Sequence, residues 1–328
     1  MALNDETTYA GAIRRALREE LARDAHVCLI GEEVGFGAGG ERPAYGLLGE
    51  FGPDRVMEVP ASGSALIGAA TGLALMGLRP VVELPFAAMS GESFSQIVAA
   101  AQLHWRTAGT MHAPLVIRAP YGTHADPWRA TSPDAWFAGV PGLRIVIPST
   151  PFDALGLLKA AIRDNNPVLF LEGHYFYRRL REVLTEADVL VPLGSAEIRR
   201  DGEDVTLLTW GAAVYTAMEA AERVAVAGIS TEVIDLRTVL PYDAVTVAES
   251  IRRTGRVLIV QDAPRTGGIG AEIAASIAEA HGAELRVPLM RVAAPDVPFP
   301  AALELAAAFA PDVMRVSDAL HTIMEKRD

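Results

Sequence analysis

The chain has 328 residues, half of them hydrophobic and 21% charged, with a formal net charge of −12. That length and composition support about two folded domains and exclude a disordered chain. The acidic balance disfavours a nucleic-acid or anionic-membrane role, because no basic surplus exists to release counterions. A single cysteine, Cys28, excludes an internal disulfide and a cysteine-cluster metal site.

The first residues, "MALNDETTYAG", show neither a basic region nor an apolar core, so no secretory signal is expected and a cytoplasmic location follows. In "TYAGAIRRALREELARD", Ile13, Leu17 and Leu21 recur every four residues between arginines and glutamates, which predicts an amphipathic helix. "HVCLIGEEVG" predicts an apolar strand ending at Gly31, with Cys28 as a buried thiol. "RVMEVP" reads as a short strand. From Ala61 to Leu78 there is then no charged side chain, but four glycines, Gly63, Gly68, Gly72 and Gly77. Such a run reaches the length of a membrane span, about 18 residues. Its glycines, serines and alanines carry too little apolar area, however, and Arg79-Pro80 closes it. Small residues at Ala65, Gly68, Ala69 and Gly72 predict instead a tightly packed, buried helix.

"RPVVELPF" is a strand, and "SGESFSQIVAAAQLHW" a helix with Ser90 as its N-cap. "APLVIRAP" and "GLRIVIPST" are strands, "PFDALGLLKAAIRDNNP" a helix and "VLFLEG" a strand. Strands that are apolar throughout and alternate with helices imply a parallel sheet covered on both faces. The first domain is therefore placed at residues 1–185, followed by a polar connector at 186–203. A second, smaller α/β domain at 204–328 alternates "VTLLTWGA", "STEVIDLRTVLP" and "RVLIVQDA" with helices and closes on a terminal helix.

The usual self-sufficient catalytic signatures are missing. There is no Walker A sequence, no H-E-x-x-H, no nucleophile elbow, and no G-x-G-x-x-G between a strand and a helix. Parallel sheets without an anchoring motif often supply half of a shared site, with ligands bound at the carboxyl ends of the strands. The candidates there are Glu32 and Glu33, the loop around Gly63, and the stretch from Glu83 through Phe86 to Met89. A fourth is "PYGTHADPWRATSPD" after Arg118, with His124, Asp126, Trp128 and Arg129. A polar loop of that length is either functional or a solvated surface loop.

"LIGEEVG", "YGLLGEFGPDRVMEVP", "GLRPVVELPF", "PLVIRAPYG", "SPDAWFAGVPGLRIVIPSTPFDALGLLKAAIRDNNPVLFLE", "EVIDLRTVLPYD" and "GGIGAEIAA" occur in that order over nearly the whole chain. Together they resemble the β subunit of the thiamine-diphosphate-dependent decarboxylase component of 2-oxoacid dehydrogenases. The resemblance implies a transketolase-like pyrimidine-binding domain followed by a transketolase C-terminal domain. It implies an α2β2 heterotetramer in which an α subunit holds the diphosphate and Mg2+ through a G-D-G…N motif that this chain lacks. It also implies decarboxylation of a 2-oxoacid and passage of the acyl group to a lipoyl or acyl-carrier arm.

In that family a β-subunit glutamate holds the aminopyrimidine ring and triggers formation of the reactive ylid, with the cofactor as electron sink. The matching stretch here is "VPASGSALIG", ungapped from Pro60 to Gly68, and Gly63 stands at the glutamate's position. Losing such a bond to a charged group costs about 1.5–3 kcal/mol. Met89 stands where the family places Phe or Tyr against the cofactor, and Arg129 where it places a substrate-facing His, with His124 five residues upstream. The resemblance makes Glu33 and Phe86 further cofactor-side candidates. It also places a structural K+ on Leu115, Ala161, Ile162, Asp164 and Asn166, a segment that otherwise reads as a turn closing a helix. Three readings follow: a β-type subunit of ordinary 2-oxoacid dehydrogenase chemistry, a repurposed two-carbon ketol or acyl transferase, and a non-catalytic partner subunit.

Overall fold

The computed structural model of the chain describes residues 6–32, 34, 42–60, 62–84, 92–122, 132–185, 187–300 and 302–326. It divides into two compact units, residues 1–122 with 137–193 and residues 123–136 with 194–328.

The first unit begins with β1 (Thr7–Thr8) and α1 (Tyr9–Arg23). The Thr8 side chain caps α1 by accepting a bond from the Gly11 amide, and Ile13, Leu17 and Leu21 lie on its buried face, at the expected spacing. Next come β2 (Val27–Gly31), α2 (Leu47–Phe51), β3 (Val56–Glu58), α3 (Gly63–Leu75), β4 (Arg79–Glu83) and α4 (Glu92–Arg106). After β5 (Val116–Tyr121) and α5 (Asp134–Ala138), whose residues up to Trp136 belong to the second unit, β6 (Arg144–Val146), α6 (Pro151–Arg163), β7 (Val168–Gly173), α7 (Phe176–Arg179) and β8 (Arg181–Glu182) complete it. Its strands run β6-β7-β5-β4-β2-β3, every pair parallel. Cys28 is buried in β2, and burial, only partly offset by Arg55, pushes its thiol up to about 11. A thiol held protonated there is core and not nucleophile.

Helix α1 packs on α6 through an ionic seam as well as an apolar one. Buried Lys159 reaches Glu19 at 2.5 Å and also Asp188, while Arg163 reaches buried Glu20 at 2.6 Å. Helix α3 differs from the expected buried helix. Leu66, Ile67, Ala70 and Ala74 are buried, but Ala65, Ala69 and Gly72 are exposed, and Met76 just beyond the helix is 84% exposed. A Cβ at Gly72 would meet nothing within 4 Å, and one at Gly68 only the Gln96 Oε1 at 3.6 Å. The helix packs on α4 along one stripe and keeps an uncharged opposite face. Its 13 residues, at about 1.5 Å rise each, fall well short of a bilayer core of roughly 30 Å. Among the described residues no helix is long and apolar enough to cross a membrane.

The second unit holds β9 (Glu197–Arg200), β10 (Val205–Thr209), α8 (Ala213–Ala225), β11 (Thr231–Asp235), β12 (Thr238–Leu240) and α9 (Ala244–Thr254). It ends with β13 (Val257–Pro264), α10 (Ile269–His281), β14 (Met290–Ala294), α11 (Leu303–Phe309) and α12 (Val313–Glu325). The five-stranded sheet runs β14-β13-β10-β11-β9 and is parallel except for β9. Part of the stretch read as a polar connector is therefore a strand. β9 is antiparallel to β11 and none of its four residues is buried, so an apolar-run criterion misses it. Gly202 just after it is required, since a Cβ there would lie 2.1 Å from the Glu232 amide nitrogen. The single strand expected over "STEVIDLRTVLP" is broken at Arg237, whose φ is +56°.

The core of this unit joins Val205, Leu207, Leu258 and Val260 of the sheet to Val316, Leu320 and Ile323 of α12. Leu207→Ala, which removes fully buried apolar volume there, lowers the free energy of chemical unfolding by about 2–5 kcal/mol without changing secondary-structure content.

Candidate active site at the carboxyl ends of the first sheet

Parallel pairing aligns the strand ends. Gly31 lies opposite both Glu58 and Glu83, and Glu83 lies opposite Arg118. Gly31 has to be glycine, because a Cβ would sit 2.8 Å from the Glu83 carbonyl oxygen and 2.9 Å from its Cβ. β2 thereby passes close against the end of β4 at the point where a charged side chain leaves the sheet.

That side chain belongs to a buried ionic cluster. The fully buried Arg118 guanidinium donates through Nε and Nη2 to the two oxygens of Glu172 on β7, at 2.6 and 3.0 Å. Through Nη1 it donates to Glu83 Oε2 on β4, at 3.2 Å. The Tyr177 hydroxyl of α7 donates to Glu172 Oε2 at 2.5 Å, and its ring stacks on Tyr9 of α1. One cation thus ties three strands, and a paired fork is the geometry guanidinium offers a carboxylate. Burial alone would lower the Arg118 pKa, but Glu172 and Glu83 override it and raise it. Burial, less the attraction of Arg118 and the weaker one of Arg42 and with repulsion from Glu172 added, raises the carboxyl of Glu83. Burial and then Glu172 likewise hold the Tyr177 phenol well above its ordinary value.

Glu83 and the Arg118 end of β5 were legible as a candidate region. Glu172 and Tyr177 were not singled out. The signal available was a lone charged residue inside each of the apolar strands "PLVIRAP" and "VLFLEG". A charge there survives folding only if it is paired.

Of the sequence-predicted site residues, Gly63 is the first residue of α3, half-buried, behind Ser62, whose side chain makes no cap bond. Glu33, Phe86, Met89, His124 and Arg129 lie outside the described residues, as does the expected N-cap Ser90. Of the residues that the resemblance assigns to K+, Ala161, Ile162, Asp164 and Asn166 lie in or just after the last turn of α6, and Leu115 lies just before β5. The Ala161 carbonyl accepts from the Asp164 amide at 3.2 Å, and the Leu115 carbonyl from the Val168 amide at 3.0 Å. Arg79 Nη1 lies on the Ile162 and Asp164 carbonyl oxygens at 3.1 and 2.9 Å. The Asp164 side chain accepts from the Asn166 amide and Nδ2 at 2.7 and 2.9 Å. These are hard oxygen donors, each with capacity beyond the bond described, and their type fits an alkali cation. Among the described residues no group of three or more His, Cys, Asp or Glu is placed to hold a metal ion.

A second acidic locus lies in the other unit. Trp210, directly after β10, donates from Nε1 to Asp134 Oδ2 at 3.1 Å, and Asp134 is fully buried. Burial, partly offset by bonds from Ala135 and Trp210, pushes Asp134 up to about 6. Burial, with Asp134 adding repulsion, does the same to Asp262 on β13.

Removing the cation from the first cluster strands the buried carboxylate of Glu172 and the partly buried one of Glu83. Arg118→Met destabilises the fold by about 3–5 kcal/mol at pH 8, and the deficit shrinks as pH falls and the Glu83 carboxyl, already raised by burial, takes up a proton. Urea unfolding at pH 5 and pH 8 measures both. Asp262 has the opposite sign. Its folded pKa is raised above 3.8, so the stability it contributes is full below about 4 and lost as pH rises through about 6. Asp262→Asn therefore raises the unfolding midpoint at pH 8, by the equivalent of about 1 kcal/mol, and leaves it nearly unchanged at pH 4.

Comparison with known proteins covers both units. Residues 5–178 match the transketolase pyrimidine binding domain family, and residues 194–316 the transketolase C-terminal domain family. The 2-oxoisovalerate dehydrogenase subunit beta of Bacillus subtilis (strain 168) is 42% identical over 294 residues, covering 89% of this chain and 90% of that protein. The pyruvate dehydrogenase E1 component subunit beta of the same strain is 42% identical over 298 residues, 90% of this chain and 92% of that one. Among solved structures, a split gene transketolase described as an inactive beta4 tetramer superposes with a TM-score of 0.80. It spans 99% of this chain and 100% of its own at 20% identity, a likeness of fold alone.

Proposed function

The chain belongs to the family of β subunits of 2-oxoacid dehydrogenases, and from that membership we propose that it works as the β subunit of a two-subunit thiamine-diphosphate enzyme completed by an α subunit. The observation that carries this reading is 42% identity spread over about nine-tenths of the chain and across both domains. The uncharged, exposed face of α3 and the exposed Met76 beside it support it, because such a surface suits a partner better than water. The α subunit would hold the diphosphate and its Mg2+ in an α2β2 assembly, and a lipoyl or acyl-carrier arm would take the product. A K+ ion would rest on the carbonyls of Leu115, Ala161, Ile162 and Asp164 with Asn166, beside the Arg79 guanidinium that already occupies two of them.

Thiamine diphosphate supplies an electron sink when bound. This chain's own contribution departs from the family at one described position. Gly63 has no carboxylate, so the residues present do not fit the pyrimidine-holding role that the family gives to glutamate there. What the first unit does provide is a rigid floor. Arg118 fixes the ends of β4, β5 and β7, and the cluster keeps an acidic, partly protonatable carboxyl, Glu83, at the lip of that floor. In the sequence after β5, Arg129 stands where the family places a histidine and would offer a guanidinium suited to the carboxylate of a 2-oxoacid.

The test is calorimetric titration of thiamine diphosphate with Mg2+ into the complex with the α subunit, with Gly63→Glu in parallel. The native complex is expected to bind the cofactor. Gly63→Glu, whose carboxylate would also sit in the first turn of α3, is expected to raise affinity or 2-oxoacid turnover roughly 10- to 150-fold, the equivalent of about 1.5–3 kcal/mol. Failure of both complexes to bind overturns the reading and leaves a subunit that holds partners together. Binding without any response to Gly63→Glu points to rebuilt ketol or acyl transfer.

A further inference from the structure

The second unit carries a basic cavity that the family reading does not use. It has a volume of about 380 Å³, within the ~300–1,000 Å³ of small-molecule sites, and lies between the end of β13, the edge strand β14 and the first turn of α12. Three arginines line it, one from each element: Arg265, Arg291 and Arg315. In a chain of net charge −12 this is an unusual local balance, since only Asp296 and Asp318 share the lining.

The three guanidinium groups are held by backbone and not by carboxylates. Arg265 Nη1 donates to the Arg291 carbonyl at 3.4 Å, and Arg291 Nη1 donates back to the Arg265 carbonyl at 3.2 Å. Arg315 Nη2 donates to the Ala293 carbonyl at 2.7 Å. Strand pairing fixes the anchors, because Pro264 lies opposite Ala294 and the Arg265 amide bonds the Ala294 carbonyl at 3.1 Å. Among the described residues none of the three makes an ion pair, and most of their N–H donors stay uncommitted. The nearby acid is already engaged. Asp296 accepts from the Thr266 amide at 2.8 Å and the Thr266 hydroxyl at 2.7 Å. Those bonds, more than the charge of Arg265, hold its carboxyl below the ordinary range.

Like charges gathered round one cavity repel, and main-chain carbonyls only partly offset that. A doubly charged tetrahedral oxyanion would satisfy all three forks at once, since guanidinium presents paired donors that match phosphate. A single carboxylate engages one fork and leaves the other two repelling. We propose that this cavity binds a phosphate group through Arg265, Arg291 and Arg315. Free phosphate and a small organic phosphate share this chemistry. Asp318 favours the second, because its carboxylate lines the cavity and can accept from hydroxyls on an attached carbon skeleton.

The experiment is calorimetric titration of inorganic phosphate, and separately of glycerol phosphate, into the full chain, alone and with its α subunit. Arg291→Gln, Arg315→Gln and Arg291→Lys are run beside the native protein. Saturable one-site binding is expected, weakened at least tenfold by each glutamine variant and less by Arg291→Lys. The phosphate-free unfolding midpoints of the variants should stay at the native value, which separates lost binding from lost folding. Tighter binding of the ester assigns an organic phosphate, and equal affinity assigns the free ion. Absence of saturable heat with either probe overturns the proposal. So do affinities unmoved by the substitutions, or binding that disappears when the α subunit is present. None of these outcomes depends on whether thiamine diphosphate binds.

Discussion

Arg118 is the constraint around which the first unit is arranged. A guanidinium sealed from water is tolerable only when its charge is met and its donors are filled, and both conditions dictate neighbours. Glu172 has to come from β7 and Glu83 from β4, so three strand ends are held in one register by one side chain. Tyr177 then fixes the far oxygen of Glu172 and ties α7 and α1 into the same network. Gly31 follows from the same geometry, since only a residue without a side chain lets β2 pass the backbone of Glu83. The consequence is a stiff, acidic floor at the place where parallel sheets bind their ligands.

The two units handle buried charge differently. The first sets the guanidinium of Arg118 between its carboxylates, with the charge of Arg42 acting on Glu83 as well. The second places Asp134 and Asp262 near one another with only neutral donors, Trp210 and a backbone amide, on Asp134. Burial raises the carboxyl of Glu83 in the first unit and that of Asp262 in the second, so both resist ionisation. The basic cavity on β14 and α12 is a third arrangement, cations braced by carbonyls, and it is the one most readily completed from solution.

Gly63 opens α3, the element after β3, and the resemblance to the family places a glutamate at that position, where this chain has a residue with no side chain. A scaffold kept intact under an altered functional residue is what selection for assembly, or for changed chemistry on the same assembly, would leave. The uncharged outer face of α3 belongs with this, because a face so poor in charge is unfavourable in water unless something covers it.

Sequence by itself determined the alternation of apolar strands and amphipathic helices. The reason is local: a strand buried on both faces has to be apolar along its length, and Ile13, Leu17 and Leu21 have to fall on one side of a helix. It also determined the family, since that is read from residue identity and order. It mistook β9 for connector, because a strand with no buried residue loses the apolar run, and it overstated the burial of α3, whose uncharged outer face stays exposed. Tertiary structure alone decided which charges meet. Glu172 is 54 positions from Arg118, and Arg265 and Arg315 are 50 positions apart across one cavity. Long-range ionic contacts have no period in the sequence, because they are set by the order of strands in a sheet and not by spacing along the chain.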